Sequence, residues 1–365
     1  MARAGAGVFP RQLHTHVPKS GRLRQSQLLA NEFIRARSIP ELVTMHGEYR
    51  AGIDPTHVPT IWHKLSVLGR TCEHRHWLRG HEPQLAQLCE HTAELLPAVG
   101  SKGLASTACS LARAGLSGPV SAVLWAALDA EAHAHLGQCE AKELSGLAWA
   151  VAAREHRQGS LALLDALGAE ALLRLDEFNA QSLSDMAWAF AKARHPAWAL
   201  MDALGQQAQG RLAEFSAREL ASTAWAFAKA RHAAPALFDA LSEVVPRRAA
   251  EFNTQELANT AWAFATAKHA APALFDALGD EARRRLLVAP PARDRTGTFD
   301  VRALSSLAWA FATARHSAHG CSRSASTCTH RSRSSPSTPR TSGASPSPPS
   351  LPRTRSTSPG LSPTS

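Results

Sequence analysis

Residues 252–278 read FNTQELANTAWAFATAKHAAPALFDAL, and residues 215–241 read FSARELASTAWAFAKARHAAPALFDAL. A third copy, FNAQSLSDMAWAFAKARHPAWALMDAL, begins at Phe178; a looser one lies around Leu144–Leu167, and a truncated one begins at Phe299. By subtraction Trp149, Trp188, Trp225, Trp262 and Trp309 are spaced by 39, 37, 37 and 47 residues. Leu104–Ala114, LASTACSLARA, matches LASTAWAFAKA with Cys109 at the tryptophan position, 40 residues before Trp149. Self-similarity at such a period is the mark of a repeat architecture.

Each unit carries its own start and stop signals. Asn179, Ser216 and Asn253 can accept hydrogen bonds from the free N–H groups of a first helical turn. Ser216 with Glu219, and Asn253 with Glu256, have the spacing of a reciprocal capping box. Phe178/Leu183, Phe215/Leu220, Phe252/Leu257 and Phe299/Leu304 suit the hydrophobic staple that fixes the chain's entry into a helix. A first helix running to Lys268-His269 is followed by Pro272, and equivalently by Pro235 and Pro196, where a second helix begins. A hairpin of this size cannot bury its apolar face alone. The expected fold is therefore all-α: an α-solenoid of stacked helical hairpins, about 37–40 residues per repeat.

At 365 residues with a formal net charge of +10, the location of the charge matters more than its size. Residues 1–31 hold five cations and no acid, and 317–365 hold six and no acid; without these eleven, 29 Lys and Arg face 30 Asp and Glu. The repeat region is near neutral, so nucleic-acid binding there would require a local basic stripe. The six cysteines form no CxxC pair and no long apolar run exists, which argues against a disulfide framework and a membrane span.

The organisation follows. Residues 1–28, acid-free with spaced Arg and His, read as an organellar transit peptide or a basic tail. Residues 29–316 form the solenoid, with clear repeats over 104–316 and an insertion at 287–298. The text from Leu28 to Arg70 reads as two helices around a turn, with Asp54-Pro55-Thr56 as a helix start and Trp62 as a degenerate repeat tryptophan; Pro83–Leu96 reads as helical. The Ser/Pro/Thr/Arg text of 317–365 reads as disordered. The repeat stops in mid-unit at His316, which points to a frameshift or misjoined exon in the underlying gene.

On a helical wheel at 100° per residue, Leu257, Ala261, Phe264 and Lys268 cluster within about 40° and define a core face. Gln255, Asn259 and Thr266 fall on the opposite side with Trp262 beside them. The corresponding residues are Gln181, Asp185 and Lys192; Arg218, Ser222 and Lys229; Arg302, Ser306 and Thr313. This polar stripe changes from unit to unit while its surroundings do not, as in helical repeats that read one base each with two or three side chains; a solvated face, free to drift, gives the same pattern. The tryptophans either stack bases or fill space between repeats. Arg194-His195, Arg231-His232, Lys268-His269 and Arg315-His316 recur at the end of the first helix. They suit a ladder of phosphate contacts or simple capping of the helix dipole. Asp165, Asp202, Asp239 and Asp276 recur in the second helix, placed to pair with an Arg or Lys of a neighbouring unit. Cys72, His74, His76, His81, Cys89 and His91 are zinc-type ligands without a standard spacing, and no metal or cofactor is expected. Phosphate-loop, dinucleotide, zinc-protease and serine-hydrolase motifs are absent, so a non-enzymatic role is expected.

The ELANTAWAFATAKHAAPALFDAL text and its period resemble the octotricopeptide-type helical repeats of algal and protist organelle proteins. They are also similar to the leucine-rich region of the FAST-kinase-like mitochondrial RNA regulators. The SIPELVTMHGEYR and VPTIWHKL text resembles how such arrays begin. The resemblance covers about residues 29–316. It implies non-catalytic binding of single-stranded RNA, with other organellar RNA-processing proteins as partners. The location it implies is the mitochondrial matrix or, alternatively, the chloroplast stroma, with effects on transcript processing, stability or translation. Such proteins often end in a small nuclease-like RAP domain, and no such text occurs here. The competing expectation is a protein–protein scaffold of the HEAT or TPR type.

Overall fold

The computed structural model describes residues 19–69, 77, 81–116, 119–154, 161–287 and 299–328, and for 19–24, 82 and 315–328 the backbone alone. Among the described residues there are fifteen α-helices and no strand. They are α1 (Lys19–Arg35), α2 (Ile39–Tyr49), α3 (Val58–Leu68), α4 (Glu82–Leu95), α5 (Ser101–Ala114), α6 (Pro119–His135), α7 (Ala141–Ala153) and α8 (Leu161–Leu173). The series continues with α9 (Ala180–Ala193), α10 (Trp198–Gln209), α11 (Ala217–Ala230), α12 (Pro235–Arg248), α13 (Thr254–Ala267), α14 (Pro272–Leu287) and α15 (Val301–Cys328).

Packing is strictly sequential within two layers. Helices α1, α3, α5, α7, α9, α11 and α13 lie side by side in one layer, and α2, α4, α6, α8, α10, α12 and α14 in the other. From α5 onward each first helix also packs on its own second helix. This is an α-solenoid of hairpins, as the period demands. This body extends to His319; of the remainder from Gly320, only the helical backbone to Cys328 is described.

The local signals operate as read in the units that begin at Phe178, Phe215 and Phe252, whereas Leu304, the expected staple partner of Phe299, is exposed. The side chain of Asn253 accepts from Glu256 N–H while Glu256 reaches back to Asn253 N–H, and Ser216 with Glu219 does the same. Glu140 with Glu143 forms a third such box at α7. Phe178, Phe215 and Phe252 and their staple partners Leu183, Leu220 and Leu257 are all buried. Each such side chain stabilises the fold by roughly 1.5–3 kcal/mol through its burial. Alanines on both flanks of the first helices let neighbouring backbones approach closely. Glycines do the same for aromatic rings: a Cβ on Gly205 would lie 3.2 Å from the Phe227 ring.

Several expectations are corrected. The N-terminal region has three helices rather than two, and α1 begins at Lys19, inside the stretch 1–28. Asp54 does not start α3; its carboxylate accepts from Thr56 and the helix opens at Val58 with His57 as cap. Trp62 is fully buried and donates Nε1 to Thr92 Oγ1 at 3.0 Å, so it is a core residue of α3 and not a repeat tryptophan. Lys268 does not join the core face. It is the exposed cap of α13, turned outward because its backbone leaves the helix in a left-handed conformation, φ 55°. In the unit at 178, the second helix begins at Trp198, two residues after Pro196. Past His316, where the repeat text ends, α15 continues as helix to Cys328. The insertion's residues 288–298 and the chain from 329 lie outside the described residues.

Candidate functional site

Between the faces that pack on neighbours, each first helix leaves one stripe open at positions i, i+4, i+7 and i+11. On α9 these are Gln181, Asp185, Trp188 and Lys192; on α11 Arg218, Ser222, Trp225 and Lys229; on α13 Gln255, Asn259, Trp262 and Thr266; on α15 Arg302, Ser306, Trp309 and Thr313. All are exposed or half-buried while the residues between them are mostly buried. The structure thus brings the expected base-reading candidates together on one face. Gln255 donates to Asn259 at 2.8 Å and Gln181 to Asp185 at 3.4 Å, so neighbouring positions orient one another. The Thr266 hydroxyl is buried without a hydrogen-bond partner. Burial pushes the Asp185 carboxyl up, opposed by the Gln181 hydrogen bond and by Arg218.

The tryptophans form a continuous ladder along this face. Ring centroids are 6.0 Å apart from Trp149 to Trp188, 6.2 Å to Trp225, 6.4 Å to Trp262 and 6.5 Å to Trp309, at 24–33° between planes. Each indole is therefore an inter-repeat packing element and also part of the open surface. None of their indole N–H groups bonds to another protein group among the described residues.

Cations flank the ladder on both sides. Besides Arg218 and Arg302 on one rail and Lys192 and Lys229 on the other, the same registers hold Lys102 and Lys142, and Arg113. Arg113 lies over the Trp149 ring at 5.1 Å and Lys192 over Trp188 at 6.0 Å. Lys102, Arg113 and Lys142 were not among the sequence candidates, although aligning LASTACSLARA with LASTAWAFAKA places Arg113 opposite Lys229. Of the stripe residues on α5, α7, α9, α11, α13 and α15, only Asp185 is acidic. The basic stripe that the overall charge conceals is thus present.

Arg194, Arg231 and Lys268 cap α9, α11 and α13 with φ of 54°, 54° and 55°, the only non-glycine residues with positive φ among those described. Their N–H groups, with those of the following histidines, close the helix ends onto Ala191 and Phe190, Ala228 and Phe227, and Ala265 and Phe264. Glycine is the ordinary occupant of such a turn, as Gly115 shows after α5. An L side chain there costs about 1–2 kcal/mol. Three exposed cations carry that cost at equivalent positions in successive units.

The histidines beside them have a different task. His195, His232 and His269 Nε2 lie 3.1, 2.8 and 3.1 Å from Asp165, Asp202 and Asp239, on the second helix of the preceding unit. Asp165, Asp202 and Asp239 are thus paired with histidine rather than with Arg or Lys, and these rings are engaged within the protein instead of facing a phosphate. The side chains of Arg315 and His316 lie outside the described residues. A second recurrent tie is absent from the sequence reading. Arg174, Arg211 and Arg248 donate to the carbonyls of Cys139, Phe178 and Phe215 one unit earlier, at 2.9, 2.7 and 2.7 Å, while pairing with Glu177, Glu214 and Glu251. The guanidinium holds each glutamate below its usual range. The text RxxEF, three times repeated, is its signal.

Two other clusters carry side chains of catalytic or metal-binding type. Ser26, His57 and Asp54 lie together, with Ser26 Oγ 3.3 Å from His57 Nε2 and His57 Nδ1 2.9 Å from Asp54. Yet Nε2 is 2.9 Å from the Ser26 main-chain oxygen, an acceptor only, so Nε2 carries the proton and cannot accept one; Ser26 Oγ donates to Asp54 instead. The cluster ties α1 to α3. Of the zinc-type residues, Cys72, His74 and His76 lie outside the described residues. Burial pushes the Cys89 thiol up to about 12, His81 Nδ1 lies 2.9 Å from the Trp77 carbonyl, and His91 bonds to His46. Among the described residues no group of three such side chains is placed to hold a metal. No protein-family model matches the chain, and no curated protein is significantly similar to it.

Proposed function

We propose that the chain binds single-stranded RNA along the tryptophan face, without catalysis of its own. The observation that carries this reading is the half-exposed indole ladder with cationic rails on both sides, in a body whose total charge is near zero. Aromatic surface lying beside a positive track is what single-stranded nucleic acid requires, with a ring face open to a base at one point at least. The variable positions, Gln181, Asp185, Lys192, Arg218, Ser222, Lys229, Gln255, Asn259, Thr266, Arg302, Ser306 and Thr313, would contact bases. Arg194, Arg231 and Lys268, at equivalent caps in successive units, would contact phosphates. The acid-free N-terminal stretch and the repeat text support action in an organelle, mitochondrial matrix or chloroplast stroma, on transcript processing, stability or translation, alongside other RNA-processing proteins. A HEAT- or TPR-like scaffold needs no row of cations or chain of indoles. The test is binding of a labelled single-stranded RNA to the full chain at 50 and 200 mM salt. Affinity that falls steeply with salt supports the reading, since each phosphate contact releases counterions. No salt-sensitive binding at either concentration overturns it.

A further inference from the structure

Interior rungs of the ladder cannot take a base between them. Stacked bases rise about 3.4 Å each, so a base inserted between two rings needs them about 7 Å apart. The ring centroids are only 6.0–6.5 Å apart and tilted. The helices that carry them are held in place by buried alanines at the interface, such as Ala187, Ala224 and Ala261. Each interior indole therefore has both faces covered by its neighbours and presents only an edge. Face-on stacking is available only at an end.

The first end is built differently from every other step. Helices α5 and α9 pack on opposite sides of α7, so Trp149 has Trp188 on one face and α5 on the other. Where α5 would supply the next indole it has Cys109, whose Sγ donates to the Gly146 carbonyl at 3.2 Å. Gly146 itself stands where later units have Asp185, Ser222 and Asn259, and a Cβ on it would meet Cys109 Sγ at 3.5 Å. A tryptophan is thus replaced by cysteine, and a small polar residue by glycine, at one point. The guanidinium of Arg113 lies over the Trp149 ring, 5.1 Å from its centroid. Arg113 is exposed and makes no ion pair among the described residues. Trp309, at the far end, has no cation over it among the described residues.

We propose that this is a base-stacking subsite: a nucleobase of the bound single-stranded RNA lies on the outer face of Trp149, sandwiched between the indole and the Arg113 guanidinium, beside the small side chains of Cys109 and Gly146. The proposal rests on the RNA-binding reading and assigns the site where a base stacks face-on. A planar guanidinium stacks on a base as well as on an indole. Entry of the base requires Arg113 to move outward, which an exposed, unpaired side chain can do. Lys142 on α7 and Lys102 on α5, both exposed, flank the site for the adjoining phosphates.

The experiment measures fluorescence anisotropy of labelled 12-nucleotide oligoadenylate and oligouridylate with full-length wild type, C109W and R113A, at two salt concentrations. C109W supplies the missing indole of this step and covers Trp149 without altering charge. Loss of one stacked base lowers affinity about 5- to 150-fold, and in C109W the salt slope stays unchanged because no phosphate contact is removed. R113A is expected to weaken binding to a similar degree, and it serves alone if C109W does not fold, as judged by circular dichroism. Wild-type affinity in folded C109W, or in R113A when C109W is unfolded, overturns the subsite while leaving the RNA-binding reading in place. Failure of the wild type to bind either oligonucleotide at low salt overturns that reading, and the subsite with it.

Discussion

His232 Nε2 lies 2.8 Å from Asp202 Oδ1, linking the end of one unit's first helix to the second helix of the unit before it. The ring also sits edge-on to Phe227 and stacks against Trp198. It is one of three equivalent latches, with His195–Asp165 and His269–Asp239. Replacing His232 by Ala removes both the hydrogen bond and the packed ring, and should cost about 1–2 kcal/mol. Asp202→Asn keeps a hydrogen-bond acceptor and, at a site as open as Asp202, should cost less than half of that. Urea unfolding midpoints of the two variants check the order; equal losses would mean that charge rather than packing holds the latch.

Arg231→Gly separates stability from binding. Glycine relieves the left-handed strain of about 1–2 kcal/mol but adds flexibility to the unfolded chain, worth about 0.5–1 kcal/mol in the other direction. The variant should be as stable as wild type or slightly more so. If Arg231 contacts phosphate, RNA affinity falls and the salt slope drops by about 1. Thermal melts and binding isotherms on the same preparation test both halves.

The Arg248 clamp predicts a clear asymmetry. Arg248→Met leaves the Phe215 carbonyl without its 2.7 Å donor, a loss of about 1–2 kcal/mol for a part-buried acceptor. Glu251→Gln, on the solvent side of the same pair, should change the unfolding midpoint little. Chemical denaturation of both variants reads the difference.

The N-terminal hairpins should weaken in mild acid. His46 and His91 are buried and joined at 2.9 Å across α2 and α4. Burial first, then His91 and Arg50, lower His46 to about 4, and burial with Arg50 lowers His91, against the opposing charge of Glu94. Both folded values lie below the unfolded value near 6.5, so the unfolded chain binds protons first. Stability is full above about pH 6.5 and is lost progressively as pH falls towards 4, by roughly 3 kcal/mol for His46 at the lower limit. The double variant His46→Leu/His91→Leu should show a flatter dependence of unfolding midpoint on pH between 7 and 4.5; an identical slope would dismiss the pair as the source.

Most of what local chemistry decides was legible in the text, although Asp54 does not start α3 and the helix after Pro196 opens only at Trp198. Caps, staples and turn prolines act over three to five residues, so Ser216 with Glu219 or Phe252 with Leu257 announce the hairpin wherever they occur. Their recurrence announces the stack, and the wheel separates the varying positions from the core. What the sequence could not decide lies one repeat away, 30 to 37 residues along the chain. Whether the partner of Asp202 is an arginine or His232, whether Arg211 reaches the Phe178 carbonyl, and whether Trp188 meets Trp225 all depend on how far each hairpin rotates and shifts on the last. That displacement is set by the summed packing of many small residues, none of which signals it alone. The same stacking carries the cations of a nearly neutral body onto one face beside the indoles. The period is a property of the sequence; the ladder, its rails and its open first step are properties of the stack.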